Sequence, residues 1–288
     1  MWVSQLEAAQ RRAVLDLAAR AAATDGVNPL NEEANLSLSN RSADHFLVGD
    51  ADLALGYLNW HPSHRTGQLV VDPAHRRQGI GRGLVAALAQ RTAGVRLWAF
   101  GDLPAAQGFV AALELRPQRV LLMMERRLTP PDTGDASFAP LGLRLCGYDP
   151  DDAEALLELN AAAFAHHPEQ GSLDAAGLAA RMAEPWFDPD GLILAFDEAG
   201  LAGFHWTKRH DAEHGEVYVI AVAPRTQGRG LGAILLEAGL AHLAAGGARR
   251  AVLYVDSAEE RAVRMYGRAG FIVAHRDVLY ASDPEEAP

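Results

Sequence analysis

The chain has 288 residues, enough for two domains at about 100–200 residues each, and 49% of them are apolar, which is ample for a core. Lys and Arg number 26 against 37 Asp and Glu, so the net charge is −11; this argues against a general nucleic-acid binder, whose footprint is basic, and suits a soluble enzyme or one with a cationic substrate. The single cysteine, Cys146, excludes an intrachain disulfide and a cysteine-based metal cluster, and it fits a reducing cytosol.

Glu7, Arg11 and Arg12 precede any apolar run, which is wrong for a signal peptide. Hydrophobic periodicity and turn residues predict strands over His45–Val48, Leu53–Trp60 and Gln68–Val71. A helix over Gly81–Arg91, a strand over Val95–Ala99, a helix over Ala105–Leu113 and a strand over Gln118–Arg126 follow. Turn formers then cluster over Thr129–Ser137 and predict a linker. This sets a first domain at 1–128, a linker at 129–140 and a second domain at 141–288. In the second half the pattern predicts helices over Asp151–Ala165 and Asp174–Ala183. Strands over Leu192–Phe196, Leu201–Thr207 and Glu216–Val222 come next, then a helix over Gly230–Ala245 stopped by Gly246-Gly247. A strand over Ala251–Val255, a helix over Glu259–Ala269 and a strand over Phe271–Tyr280 close the chain. The most apolar helix segment, Leu231–Ala248, carries Glu237 and His242 and is too polar to span a bilayer.

The two halves repeat. Val71-Asp72-Pro73-Ala74-His75-Arg76-Arg77-Gln78-Gly79-Ile80-Gly81 matches Val222-Ala223-Pro224-Arg225-Thr226-Gln227-Gly228-Arg229-Gly230-Leu231-Gly232 without a gap, at an offset of 151 residues. Each copy lies between a strand and a helix. Glycines let backbone N–H groups approach a ligand closely, and the helix N-terminus adds unpaired donors with a partial positive charge, so each loop suits a phosphate. A P-loop needs Gly-Lys-Ser/Thr, which neither copy has. A Rossmann loop follows the first strand of its unit, whereas these follow several antiparallel strands.

The Arg/Gln-x-x-Gly-x-Gly pattern after a Val-x-Pro strand end resembles the acyl-CoA pyrophosphate loop of the GCN5-related N-acetyltransferase (GNAT) superfamily. Further segments extend the likeness: Asp25–Pro29, Gly56–Asn59, Trp98–Asp102, His167–Gly171, Trp186–Pro189, Gly203–Lys208 and Gly215–Val219. Together they resemble the mycothiol synthases, tandem acetyltransferases of actinobacteria. The resemblance implies an α/β (α+β) fold of two tandem GNAT domains. Each would have a mixed, mostly antiparallel sheet flanked by helices, with a splayed strand beside the acyl-CoA loop. It implies acetyl transfer from acetyl-CoA to the cysteinyl amine of a Cys-glucosamine-inositol pseudodisaccharide, desacetylmycothiol. The protein is expected to be a cytoplasmic monomer with no metal, nucleic-acid or membrane partner.

Acetyl transfer to an amine needs a proton acceptor, stabilisation of the thioester oxygen and a donor to the leaving sulfur. By resemblance Glu216 is the base and Tyr266 the acid. Glu32, Glu169, Lys208, Glu216 and Tyr254 match acceptor-binding positions. Acetyl-CoA falls to Ile220, Ala221, Val222, Gln227, Gly228, Arg229, Gly230, Leu231, Gly232 and Ala233. In the first half it falls to Leu69, Val70, Val71, Arg76, Arg77, Gln78, Gly79, Ile80 and Gly81. The repeat supplies a control. The 151-residue offset puts Arg65 opposite Glu216, and an offset of 156 puts Val110 opposite Tyr266. The first half thus keeps the loop, lacks both proton-transfer groups, and reads as a non-catalytic CoA-binding domain. One departure stands out: where the family has Asn after the last core strand, this chain has Glu259, which cannot donate as an amide does. His61, His64, His205 and His210 lack acidic partners at metal spacing in the sequence and read as solvated. Two other readings remain open, a tandem acetyltransferase of another amine and a non-catalytic acyl-CoA-binding protein.

Overall fold

The computed structural model describes residues 2–50, 53–129, 142–165, 171 and 173–282. The segment expected as a linker falls almost wholly outside them. The chain forms two compact units, one of residues 1–122, 256–258 and 275–288, the other of 123–255 and 259–274. The second unit therefore stops at Ala274, and the chain's end belongs to the first, unlike the continuous halves read from the sequence.

The first unit opens with strand β1 (Trp2–Val3) and two helices, α1 (Ala8–Asp25) and α2 (Glu32–Ser37), to which the sequence reading gave no bounds. Alanine, the strongest helix former, dominates α1. Antiparallel strands β2 (Asp44–Gly49), β3 (Ala54–His61) and β4 (Thr66–Val71) follow. Then come α3 (Ile80–Ala89), β5 (Arg96–Ala99), α4 (Pro104–Ala111) and β6 (Arg116–Arg127). Side chains alternate across β3: Tyr57 packs with Leu17 and Ala21 of α1, while Leu58 packs with Leu84 and Leu88 of α3. Helices thus cover both faces. The chain's last strand, β12 (Ile272–Ala281), places Val278–Ala281 antiparallel to Arg96–Ala99 of β5. The sheet order is β1-β2-β3-β4-β5-β12-β6.

The second unit contains β7 (Arg144–Cys146), α5 (Ala153–Ala163), α6 (Ala175–Met182), β8 (Leu192–Asp197), β9 (Gly200–Arg209) and β10 (His214–Val222). It continues with α7 (Leu231–Ala245), β11 (Arg250–Asp256) and α8 (Glu260–Arg268). Its sheet runs β11-β10-β9-β8-β7. Phe204, Trp206 and Ala221 meet Leu156, Leu159 and Leu178 of α5 and α6 on one face. Ile193, Ala195 and Ala202 meet Leu231 and Leu235 of α7 on the other. Each leucine so buried stabilises the unit by roughly 1.5–3 kcal/mol. Among the described residues no helix is long and apolar enough to cross a membrane.

Candidate active site

In the second unit β10 and β11 are parallel neighbours paired only from His214↔Arg250 to Glu216↔Val252. Both strands continue, β10 to Val222 and β11 to Asp256, so they part immediately after Glu216. The divergence leaves one edge of Val217–Val222 outside the β10–β11 ladder, where an extended ligand with amide groups can lie along the main chain. On its other edge β10 pairs with β9, and the register slips between Val217↔Thr207 and Val219↔Trp206, a bulge at Tyr218. Bulges bend a strand and re-aim its side chains. The first unit shows the same splay, with β4 and β5 sharing only Gly67↔Leu97, but the β3–β4 register is unbroken and has no bulge.

Each splayed strand leads into a glycine loop and a helix. Gly230 is the N-cap of α7 at φ +84°, and Gly79 is the N-cap of α3 at φ +87°. This left-handed conformation favours glycine, and a Cβ at either position would meet nothing within 4 Å. The space beside both helix N-termini is therefore open, as the approach of a phosphate requires. Arg77, at φ +64°, holds the left-handed position that Gly228 holds at +77°. Two predicted ligands of the loop are engaged in bracing it. Arg76 forks onto Asp25 (2.8 and 2.6 Å) and reaches the Val71 carbonyl (3.3 Å); Gln227 reaches the Val222 carbonyl (3.3 Å).

The family profile for the acetyltransferase (GNAT) family matches residues 154–271, and that for the acetyltransferase (GNAT) domain matches 42–113. A protein of Thermobispora bispora named mycothiol acetyltransferase is 46% identical, with 94% of this chain and 95% of that one covered. One of the same name from Propionibacterium freudenreichii is 42% identical, with 97% and 91% covered. The chain belongs to the mycothiol acetyltransferase family. Solved structures show the same fold. A tandem GNAT protein from the clavulanic acid biosynthesis pathway gives a TM-score of 0.72 at 20% identity, covering 100% of this chain and 99% of its own. A GCN5-related N-acetyltransferase from Sphaerobacter thermophilus gives 0.69 at 24%, covering 97% and 95%.

Within this family member the expected base sits at the divergence point. Glu216 is buried at 8% exposure, and its Oε2 lies 2.7 Å from Nε2 of His210. Opposite it on β9, Lys208 is 7% exposed, with its ammonium 4.8 Å from the Trp186 ring centre and 5.1 Å from that of Tyr218. Tyr218, the bulge residue, accepts a 3.0 Å hydrogen bond from Arg181 Nε at its hydroxyl. Tyr254 lies on β11 beyond the last β10 pair and is exposed. Tyr266 is buried on α8, edge-on to Phe271 at 5.9 Å, and burial pushes its phenol up to about 12. The preceding residue, Met265, approaches Gly232 of α7 so closely that a Cβ there would lie 3.2 Å from its sulfur. Glu259 is the exposed N-cap of α8 and makes no side-chain cap bond. Glu32 is on the exposed first turn of α2, in the first unit. Glu169 lies outside the described residues.

The structure changes the internal comparison at one position. Because of the bulge at Tyr218, counting back along the β3–β4 register makes Thr66, paired with His61, the counterpart of Glu216, paired with Lys208. Arg65 is off by one residue. The helix offset holds: Gly81 meets Phe109 as Gly232 meets Met265, which sets Val110 opposite Tyr266. Two of the histidines expected to be solvated, His205 and His61, are buried, while His210 is exposed. His205 is fully buried, with Nδ1 2.7 Å from the Leu235 carbonyl, and burial lowers it to about 4. His61 is 4% exposed, and His210 engages Glu216.

Proposed function

We propose that the second unit transfers the acetyl group of acetyl-CoA to the cysteinyl amine of desacetylmycothiol, and that the first unit binds CoA without catalysing. The pairing of buried Glu216 with His210 at the point where β10 and β11 part carries this reading. GNAT acetyltransferases use acetyl-CoA as substrate. The pyrophosphate lies on the N–H groups of Gly228–Gly232, Ala233 N–H already donating to the Gly230 carbonyl (3.1 Å), and the pantetheine arm adds along Val217–Val222. This brings the thioester to the fork. His210 engages one oxygen of Glu216, and we assign the other to the amine, directly or through one water. An α-amino group has a pKa of about 7.7–8.0, so a modest base is enough at neutral pH. The neutral amine attacks the thioester carbon. The carbonyl oxygen gains charge against main-chain N–H groups of the splayed edge. Collapse breaks the C–S bond and releases CoA thiolate towards the Tyr266 hydroxyl. Lys208 and Tyr254 offer donors and an aromatic face to the hydroxyl-rich acceptor.

In the first unit Thr66 and Val110 stand at the positions of Glu216 and Tyr266, so neither proton transfer has a carrier. The test is CoA release with desacetylmycothiol beside a panel holding an aminoglycoside and a peptide N-terminus. Desacetylmycothiol is expected to give the highest kcat/KM. A higher value for another amine overturns the assignment of the acceptor.

A further inference from the structure

At the end of the first unit that corresponds to the Glu216 position, three other side chains converge. His61 ends β3 and pairs with Thr66, the counterpart of Glu216. His64 follows in the turn to β4, and Glu33 comes from the first turn of α2. Nε2 of His64 lies 3.1 Å and Nδ1 of His61 3.6 Å from the same oxygen, Oε1 of Glu33. One ligand atom from each residue lies within 4.8 Å of the other two. Tetrahedral zinc with bonds of about 2.0–2.2 Å separates its ligand atoms by about 3.4 Å, so little closure is needed.

Two features mark the cluster as a built site. His61 is 4% exposed, and neither of its ring nitrogens has a hydrogen-bond partner. Buried imidazoles rarely go without one. Second, the residues that aim Glu33 are fixed. Asn31 caps α2 through Ala34 N–H (2.8 Å), and it exchanges two hydrogen bonds with Gln68 of β4 (2.9 and 2.8 Å). That pair ties the start of α2 to the strand following the His61–His64 turn.

We propose that Glu33, His61 and His64 form a binding site for a divalent transition-metal ion of the Zn2+ type, with water completing the coordination. Two imidazoles and a single carboxylate select such an ion over Mg2+ and Ca2+, which take oxygen ligands. The ion joins α2 to the β3–β4 turn and satisfies the buried His61 nitrogen that faces Glu33. The site is thus a structural clamp in the unit that lacks the catalytic pair.

The experiment uses the full chain without a histidine tag, stripped by a chelator and then titrated with Zn2+ by calorimetry. Co2+ absorption reports the coordination geometry, and thermal melts are run with and without Zn2+. One tight Zn2+ per chain is expected, with a Zn2+-dependent rise in Tm. His64→Ala and Glu33→Gln should each weaken binding by at least about tenfold and abolish that rise. Both residues are partly exposed, so the metal-free variants should melt close to the metal-free parent; His61, being buried, is left intact. Absence of stoichiometric binding in the parent, or unchanged affinity in either variant, overturns the proposal.

Discussion

His210 Nε2 and Glu216 Oε2 lie 2.7 Å apart at the last paired position of β10 before it parts from β11. The carboxylate is buried and the imidazole is nearer the surface, so the histidine takes one oxygen of Glu216 and leaves the other for the amine in the proposed mechanism. Glu216→Gln keeps the volume and removes the proton acceptor. General bases contribute about 10²–10⁴-fold, and an amine with a pKa near 8 needs the low end of that range. Turnover should recover as pH rises and the amine deprotonates unaided. His210→Ala should lower kcat less than Glu216→Gln does, and the double variant should be no worse than Glu216→Gln alone, because both act through one group. Steady-state rates from pH 6 to 9 check this. Additive losses would give His210 a separate task.

Gly230 and Gly79 cap equivalent helices in the same left-handed conformation, yet their loops are expected to differ in consequence. Gly230→Glu sets an anion where the pyrophosphate is held and should abolish turnover. Gly79→Glu should remove CoA from the first unit but leave turnover within about tenfold, or about 1.4 kcal/mol. Gly→Ala at each site carries the same backbone strain without the charge and should cost far less. Binding stoichiometry by calorimetry beside turnover decides. Equal, severe losses from the two Glu variants would end the division of labour between the units.

The loops were legible in the sequence because their glycines answer a local demand: a left-handed cap and open space above it. The proposal that the first half does not catalyse starts from the repeat, whose helix offset the structure keeps and whose strand offset it moves by one residue. What escaped depends on pairing over distance. The bulge at Tyr218 shifts the register by a single residue, and only the β9–β10 ladder reveals that Thr66, not Arg65, answers Glu216. Val278–Ala281 lies on β5, a pairing that joins residues about 180 positions apart and leaves no local periodic trace. Glu33 is remote in sequence from His61 and His64, so the acidic partner that those histidines lacked on paper comes from another element. His205 looks like any polar residue of a half-exposed strand until α7 is laid over it.

That burial makes His205 an acid-sensitive point. Its ring fills the space above Gly239, where an added Cβ would lie 2.1 Å from ring atoms. The folded protein holds it neutral down to about 4, whereas a free histidine protonates near 6.5. Between these values the unfolded chain binds a proton that the folded chain rejects, so stability falls as pH falls through that window. At about 1.4 kcal/mol per pH unit, the loss between pH 6.5 and 5 is about 2 kcal/mol. Urea unfolding at the two pH values measures it, and His205→Gln should flatten the dependence by that amount. Gly239→Ala should destabilise by about 1–3 kcal/mol despite alanine's better helix propensity. An unchanged pH slope in His205→Gln would show that other groups carry the acid sensitivity.

Tyr266 is the remaining half of the proposed proton path. Burial lifts its phenol to about 12, so it stays protonated across any practical assay range and can always donate. The same shift limits what it donates. A thiol pKa lies near 8.5, so complete transfer from a phenol near 12 to free thiolate is uphill by about 3.5 pH units. In the proposed mechanism its contribution is therefore a hydrogen bond that strengthens as charge builds on sulfur, with solvent completing the protonation after release. Tyr266→Phe keeps the ring edge-on to Phe271 and removes only that bond. The expected loss in kcat is about tenfold to a hundredfold, below the roughly 10²–10⁴-fold of full proton donors, with acetyl-CoA affinity nearly unchanged. A substrate analogue with a more acidic thiol leaving group should restore much of the lost rate in the variant, since a better leaving group needs less help. Steady-state turnover with both thioesters, beside calorimetric CoA binding, separates the outcomes. A loss that ignores the leaving group, or one accompanied by weakened CoA binding, would make Tyr266 a wall of the pantetheine channel and leave protonation of the sulfur to water alone.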